Sequence, residues 1–128
     1  MKTYDRIGKT VLVIAVMLAL FLKGGIVFAQ SGEEGLANFY SDGMQGKKMA
    51  NGTPYDKTKL TASHKKYAFG TKVKVTNIEN GKSVVVTVTD RMGQKNPAVI
   101  ELSRRAADEL GFAKSGKAQV KVETASDK

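Results

Sequence analysis

Residues 71–89 read TKVKVTNIENGKSVVVTVT. From Thr71 to Thr76 valine alternates with polar residues at period two, the pattern of a strand with one buried face. Ser83 to Thr89 is rich in Val and Thr, which suit a pleated, half-buried surface. Between them stands Asn80-Gly81, a pair favoured where both central turn residues take positive φ. The stretch predicts a β-hairpin, and the rest of the chain is read outward from it.

Downstream, Ala98 to Leu102 predicts another short strand. Ser103 then stands where a helix N-cap belongs, its hydroxyl able to accept from an unpaired backbone N–H. Arg104 to Leu110 predicts a helix with Ala106, Ala107 and Leu110 as its apolar stripe. Gly111 supplies a left-handed stop, after which Phe112 can fold back onto the helix. Ala118 to Thr124 alternates again, with Val120 and Val122 inward, and Ala125 to Lys128 is a tail. Upstream, Gly35 to Tyr40 predicts a first strand with Leu36 and Tyr40 on one face, after a polar leader Ser31–Glu34. Ser41 to Gly52, rich in Gly, Lys and Met, predicts a loop. Several short strands and one short helix point to an all-β fold, a small barrel whose closure removes exposed edges.

The first residues predict export. Lys2, Arg6 and Lys9 form a basic start, Val11 to Leu22 is an apolar run of 12 residues, and Val27-Phe28-Ala29 places small residues at the −3 and −1 positions before Gln30. This is the three-part pattern of a secretory signal peptide. A membrane-spanning helix needs about 20 apolar residues, and Lys23 ends this run early. The expected organisation is a signal peptide at 1–29 and one domain at 30–128. The domain is expected in the periplasm or cell envelope, soluble and monomeric, with membrane contact only through the signal peptide.

Composition narrows the chemistry. The chain of 128 residues has no cysteine and one histidine, His64. That excludes disulfide staples, thiolate zinc sites, multi-histidine metal sites, thiol catalysis and a lipid-bearing cysteine. No metal or cofactor is expected. Of the formal charge of +9, residues 1–29 hold +3 (four cations against Asp5), leaving +6 on the remainder. A basic surface favours polyanions. Outside the cytoplasm, an acidic wall polymer is the expected partner and nucleic acid is not. Lys47-Lys48 and Lys65-Lys66 are basic pairs that suit such a polymer, although pairs of this kind are usually just a solvated face.

Seven segments carry a resemblance. In order they are Gly35-Leu36-Ala37-Asn38-Phe39-Tyr40, Ala50-Asn51-Gly52-Thr53-Pro54-Tyr55-Asp56, Leu60-Thr61-Ala62-Ser63-His64-Lys65, Phe69 to Asn77, Asn80 to Val86, Thr89-Asp90-Arg91, and Ile100-Glu101-Leu102-Ser103-Arg104-Arg105-Ala106-Ala107. Together they resemble the rare lipoprotein A family. The resemblance implies a six-stranded double-psi β-barrel with one short helix, related to expansins and barwin-like endoglucanases. It also implies an endolytic lytic transglycosylase that cuts peptidoglycan glycan strands lacking stem peptides. In that reaction the muramyl 6-hydroxyl captures the anomeric carbon and leaves a 1,6-anhydro end. The alternative is a non-catalytic, expansin-like peptidoglycan-binding module.

The resemblance assigns Asp90 as the catalytic acid and base; on local sequence alone it reads as a turn-capping aspartate before Met92-Gly93. His64 matches a family histidine and is open to two roles: lining the substrate groove beside Asp90, or a structural imidazole pinned by the backbone. Thr53, Arg91 and Tyr55 are the other expected substrate-binding residues. Thr53 stands where family members often carry Glu, so the carboxyl that would keep one of a pair protonated is missing there. After Asp90-Arg91 the chain continues Met92-Gly93-Gln94 where the family usually has Gly-Pro-aromatic. Tyr40, Tyr55, Tyr67 and Phe69 remain as possible sugar platforms. Glu101 is a second acidic candidate, and its expected role is electrostatic, at the start of the helix.

Overall fold

The computed structural model describes residues 32–125. The expected signal peptide at 1–29 lies outside the described residues. Six strands, β1 (Glu33–Phe39), β2 (Thr61–His64), β3 (Lys72–Asn77), β4 (Ser83–Arg91), β5 (Ile100–Leu102) and β6 (Ala118–Thr124), close into a barrel in the order β1-β5-β2-β4-β3-β6. The β1/β5 and β2/β4 pairs are parallel; the other four are antiparallel. One helix, α1 (Arg104–Leu110), follows β5.

The hairpin forms as its alternation requires. Val73 pairs with Val86 and Val75 with Val84, and all four are buried, while Lys72, Lys74 and Val85 are exposed. With Val88, Ile100, Leu102, Val120 and Val122 they fill the barrel. The turn differs from the expected two-residue type. Gly81 alone takes positive φ (76°), and a longer loop is closed by Asn77 N–H to Lys82 O and Gly81 N–H to Asn77 O, each 2.8 Å. Asn80 serves another purpose. Its amide and that of Asn77 both donate to the Leu110 carbonyl (3.0 and 2.9 Å), satisfying an orphan acceptor at the end of α1.

The helix is bounded as read. The Ser103 hydroxyl accepts from Ala106 N–H, and Gly111 stops the helix at φ 80°. Phe112 N–H returns to Ala107 O, and its ring packs edge-on against Phe39 at 5.8 Å. The core uses the other face of β1 from the one that carries Leu36. Ala37 is fully buried in the core and Phe39 packs against it, whereas Leu36 is only half-buried. The small Ala37 sits in register with Ile100 of β5.

Candidate active site

The site starts from a fault in the β4 alternation. Val84, Val86 and Val88 point inward, so strict period-two spacing would carry Asp90 into the apolar core. It does not, because the β2/β4 register slips. Ala62 pairs with Val88, but the next residue, Ser63, pairs with Asp90. Thr89 is the extra residue of a β-bulge, which re-aims the side chains after it. Asp90 therefore joins Ser63 on the outer face. Ser63 is also in register with Glu101 of β5, and Glu101 with Asn38 of β1. Asn38, Glu101, Ser63 and Asp90 thus form one row across four neighbouring strands. Neighbouring strands lie about 4.8 Å apart, so the backbones of Asp90 and Glu101 stand about 10 Å apart with Ser63 between them.

The loop after β1 holds this row from one side. The Tyr40 hydroxyl donates to Asp90 Oδ2, while Ala50 N–H (2.8 Å) and Arg91 N–H (2.9 Å) donate to Oδ1. Three donors on one carboxylate fix its position and leave it an acceptor. The loop is tied to the bulge itself. Asn51 N–H reaches the Thr89 carbonyl (3.2 Å), and the Thr89 hydroxyl donates to the Met49 sulfur (3.2 Å). Tyr40 stacks on Tyr55 with ring centres 4.5 Å apart, and the Tyr55 hydroxyl accepts from Arg104 N–H (3.0 Å) at the start of α1. The helix, two stacked rings and the acidic site form one connected support.

The electrostatics of the row act on Glu101 and Tyr40. Burial, followed by the charge of Asp90, raises the Glu101 carboxyl above the usual carboxylate range. Burial also raises the Tyr40 phenol, reinforced by its bond to Asp90, so Tyr40 remains a neutral donor. One carboxyl is thus held as a hydrogen-bond acceptor and the other is biased toward its protonated form. Among the described residues, no three His, Cys, Asp or Glu side chains gather to hold a metal ion.

The expected site residues separate. Asp90 lies in the row. His64 follows Ser63 and so turns to the opposite face of β2. Its Nδ1 accepts from Lys66 N–H (3.0 Å) and Tyr67 N–H (3.1 Å), which leaves Nε2 to donate to Glu33 Oε1 (2.7 Å). The ring stacks on Tyr67 at 4.1 Å and is 3% exposed. This geometry pins the imidazole to the backbone at Lys66 and Tyr67 and to the Glu33 carboxylate. Tyr55 is 1% exposed, its ring stacked on Tyr40. The Arg91 guanidinium donates to the carbonyls of His64 and Tyr67 (3.0 and 2.7 Å) and lies over the Phe69 ring at 4.7 Å. Thr53 is exposed, its N–H and hydroxyl both bonded to Asn51 Oδ1 (3.0 and 2.7 Å). It lines a cleft of about 510 Å³ with Met49, Pro54, Thr61, Thr87 and Thr89. Of the four aromatic candidates, Phe69 alone is exposed.

Comparison with known proteins decides the family. The family model described as "Lytic transglycolase", a double-psi β-barrel model, matches residues 32–122, the whole barrel except its last residues. The chain belongs to the rare lipoprotein A family. Within that family it is 46% identical over 89 residues to the Pseudomonas aeruginosa protein named endolytic peptidoglycan transglycosylase RlpA. The match covers 70% of this chain but 26% of that protein, so the chain spans about a quarter of that relative's length. The double-psi barrel is also seen in solved structures. Streptomyces papain inhibitor superposes with a TM-score of 0.59 at 22% identity, covering 74% of this chain and 96% of that one. A Clavibacter michiganensis expansin variant in complex with cellohexaose also gives 0.59 at 22% identity, covering 74% and 50%. With Thr53 where the resemblance implies Glu, the chain still carries two carboxyls on one face. The second is Glu101, brought in from β5. Its helix-start role is not the one the structure assigns, because it lies in the row with Asp90 and feels that charge. Ser63 and Asn38 were not expected in the site, and Tyr40 was expected only as a possible sugar platform, not as a donor to Asp90. Their shared face arises from parallel register and a bulge, which no local pattern announces.

Proposed function

We propose that this domain is an endolytic peptidoglycan lytic transglycosylase, exported to the periplasm or cell envelope and acting as a monomer on glycan strands lacking stem peptides. The observation that carries this reading is the placement of Asp90 and Glu101 on either side of Ser63, on one face outside the barrel. Glu101 gives its proton to the glycosidic oxygen as the bond from that oxygen to the muramyl anomeric carbon breaks. The muramyl 6-hydroxyl attacks the same carbon and passes its proton to Asp90. One C–O bond breaks and one forms, no water is consumed, and the strand ends in a 1,6-anhydro ring. Proton transfers of this kind contribute roughly 10²–10⁴-fold each. The basic surface outside residues 1–29 suits a wall polymer that carries carboxylates.

The second reading, a non-catalytic peptidoglycan-binding module, is favoured by Thr53 in place of the family Glu. Digestion of peptide-free glycan strands, read by mass spectrometry, separates the two. New anhydro-muramyl ends that disappear in Asp90→Asn support the enzyme. Saturable binding to purified sacculi with no new ends supports the module. No binding and no cleavage overturns both.

A further inference from the structure

The row has a fourth member with no assigned task. Asn38 Oδ1 is shut off from solvent and has no hydrogen-bond partner. A buried acceptor left empty is costly, and such groups are rare enough that each needs a reason. Because solvent does not reach this oxygen, its donor has to come from within the protein. Asn38 stands in direct register with Glu101 on the neighbouring parallel strand, so the two side chains leave the sheet side by side.

We propose that Asn38 is a positioning residue: its side-chain carbonyl receives the O–H of neutral Glu101 and holds that carboxyl ready to give its proton to the glycosidic oxygen. The proposal deepens the transglycosylase reading and, for the catalytic part alone, rests on it. An ionised Glu101 has no proton to offer, so the empty acceptor and the acid state belong together. The charged and titratable groups around Glu101 agree. Asp90 faces it across Ser63 and disfavours a second negative charge. Tyr40 lies close enough to feel the Glu101 charge and donates to Asp90 instead. Lys117, which would continue the β6 register opposite Asn38, is exposed to solvent. The family resemblance places the missing carboxyl at Thr53. Here Asn38 stabilises the neutral form of a different acid.

Two measurements on the full-length chain test this, and neither needs catalysis. In the unmodified protein labelled with ¹³C, the Asn38 side-chain carbonyl shift should titrate with the midpoint of the Glu101 carboxyl. An Asn38 signal that stays flat through that midpoint overturns the proposal. In Asn38→Leu, which keeps the branched shape but removes the acceptor, the Glu101 midpoint should fall by about half a unit or more, the worth of one lost hydrogen bond to the neutral form. A midpoint that is unchanged or rises overturns it, since a rise means the amide was donating to the charged form. If Asn38→Leu does not fold, the first measurement decides. Where the chain cleaves glycan, the high-pH limb of its rate profile should move down by the same amount in Asn38→Leu. If the chain does not cleave, the transglycosylase reading fails while the two titrations still judge Asn38.

Discussion

Tyr40→Phe tests the support of Asp90 with the least collateral change. The ring stays, and with it the 4.5 Å stack on Tyr55; only the hydroxyl that donates to Asp90 Oδ2 is lost. A hydrogen bond to a charged group contributes about 1.5–3 kcal/mol net. Two backbone N–H donors remain on Oδ1, and Asp90 is only half-buried, so water can partly replace the phenol. The lower end, about 1.5 kcal/mol, is therefore expected. For a domain of this size that lowers Tm by about 6–12 °C, measurable by circular dichroism and by urea unfolding. If the same bond orients Asp90 for the 6-hydroxyl, kcat/KM for anhydro-end formation falls about tenfold, since 1.4 kcal/mol is one decade. An unchanged Tm together with an unchanged rate would refute the claim that Tyr40 holds Asp90.

Three further outcomes are expected. Glu101 has a carboxyl raised in the fold by burial and by Asp90, so its neutral form stabilises the fold. That contribution is fully present below the unfolded value of about 4.5 and is lost as pH rises through the folded value. Glu101→Gln should therefore match the wild type in acid and become the more stable of the two as pH rises toward neutral, as read by urea unfolding across pH; a stability gap that does not change with pH contradicts this. His64→Phe keeps the stack on Tyr67 but removes the acceptor for two N–H groups and the bond to Glu33. It should cost about 2–4 kcal/mol of stability while sacculus binding per folded molecule is unchanged; lost binding at unchanged stability would return His64 to the groove. Gly111→Ala places a Cβ at φ 80° and should destabilise by about 1–2 kcal/mol in chemical denaturation.

How much of this was legible in the sequence depended on the range of the interaction. The hairpin strands and both ends of α1 were readable because period-two valines, Ser103 and Gly111 act over a few residues. The closed six-strand barrel and Asp90 came with the family resemblance. Which face of β1 meets the core was not legible, because its inward residue is Ala37, smaller than its neighbour Leu36, and its burial is decided by Ile100 some sixty residues away. Asn80-Gly81 suggested a tight turn, but the need to satisfy the Leu110 carbonyl gave Asn80 another task. Glu101 was read as local to the helix because the sequence places Ser103 two residues later. Its partnership with Asp90 needs β2 between them and a bulge at Thr89, which depend on how three distant segments pair. The two roles of His64 stayed open in the sequence because β2 and β4 are neighbours, while one position along β2 reverses the face a side chain takes.

The central claim is that Glu101 and Asp90 act as an acid and base across Ser63. The most direct test is the initial rate of anhydro-muramyl end formation by Glu101→Gln on peptide-free glycan strands, with folding checked by Tm. A rate about 10²-fold or more below that of the wild type is expected, the contribution of a general acid. A stable Glu101→Gln protein cleaving at the wild-type rate would contradict it.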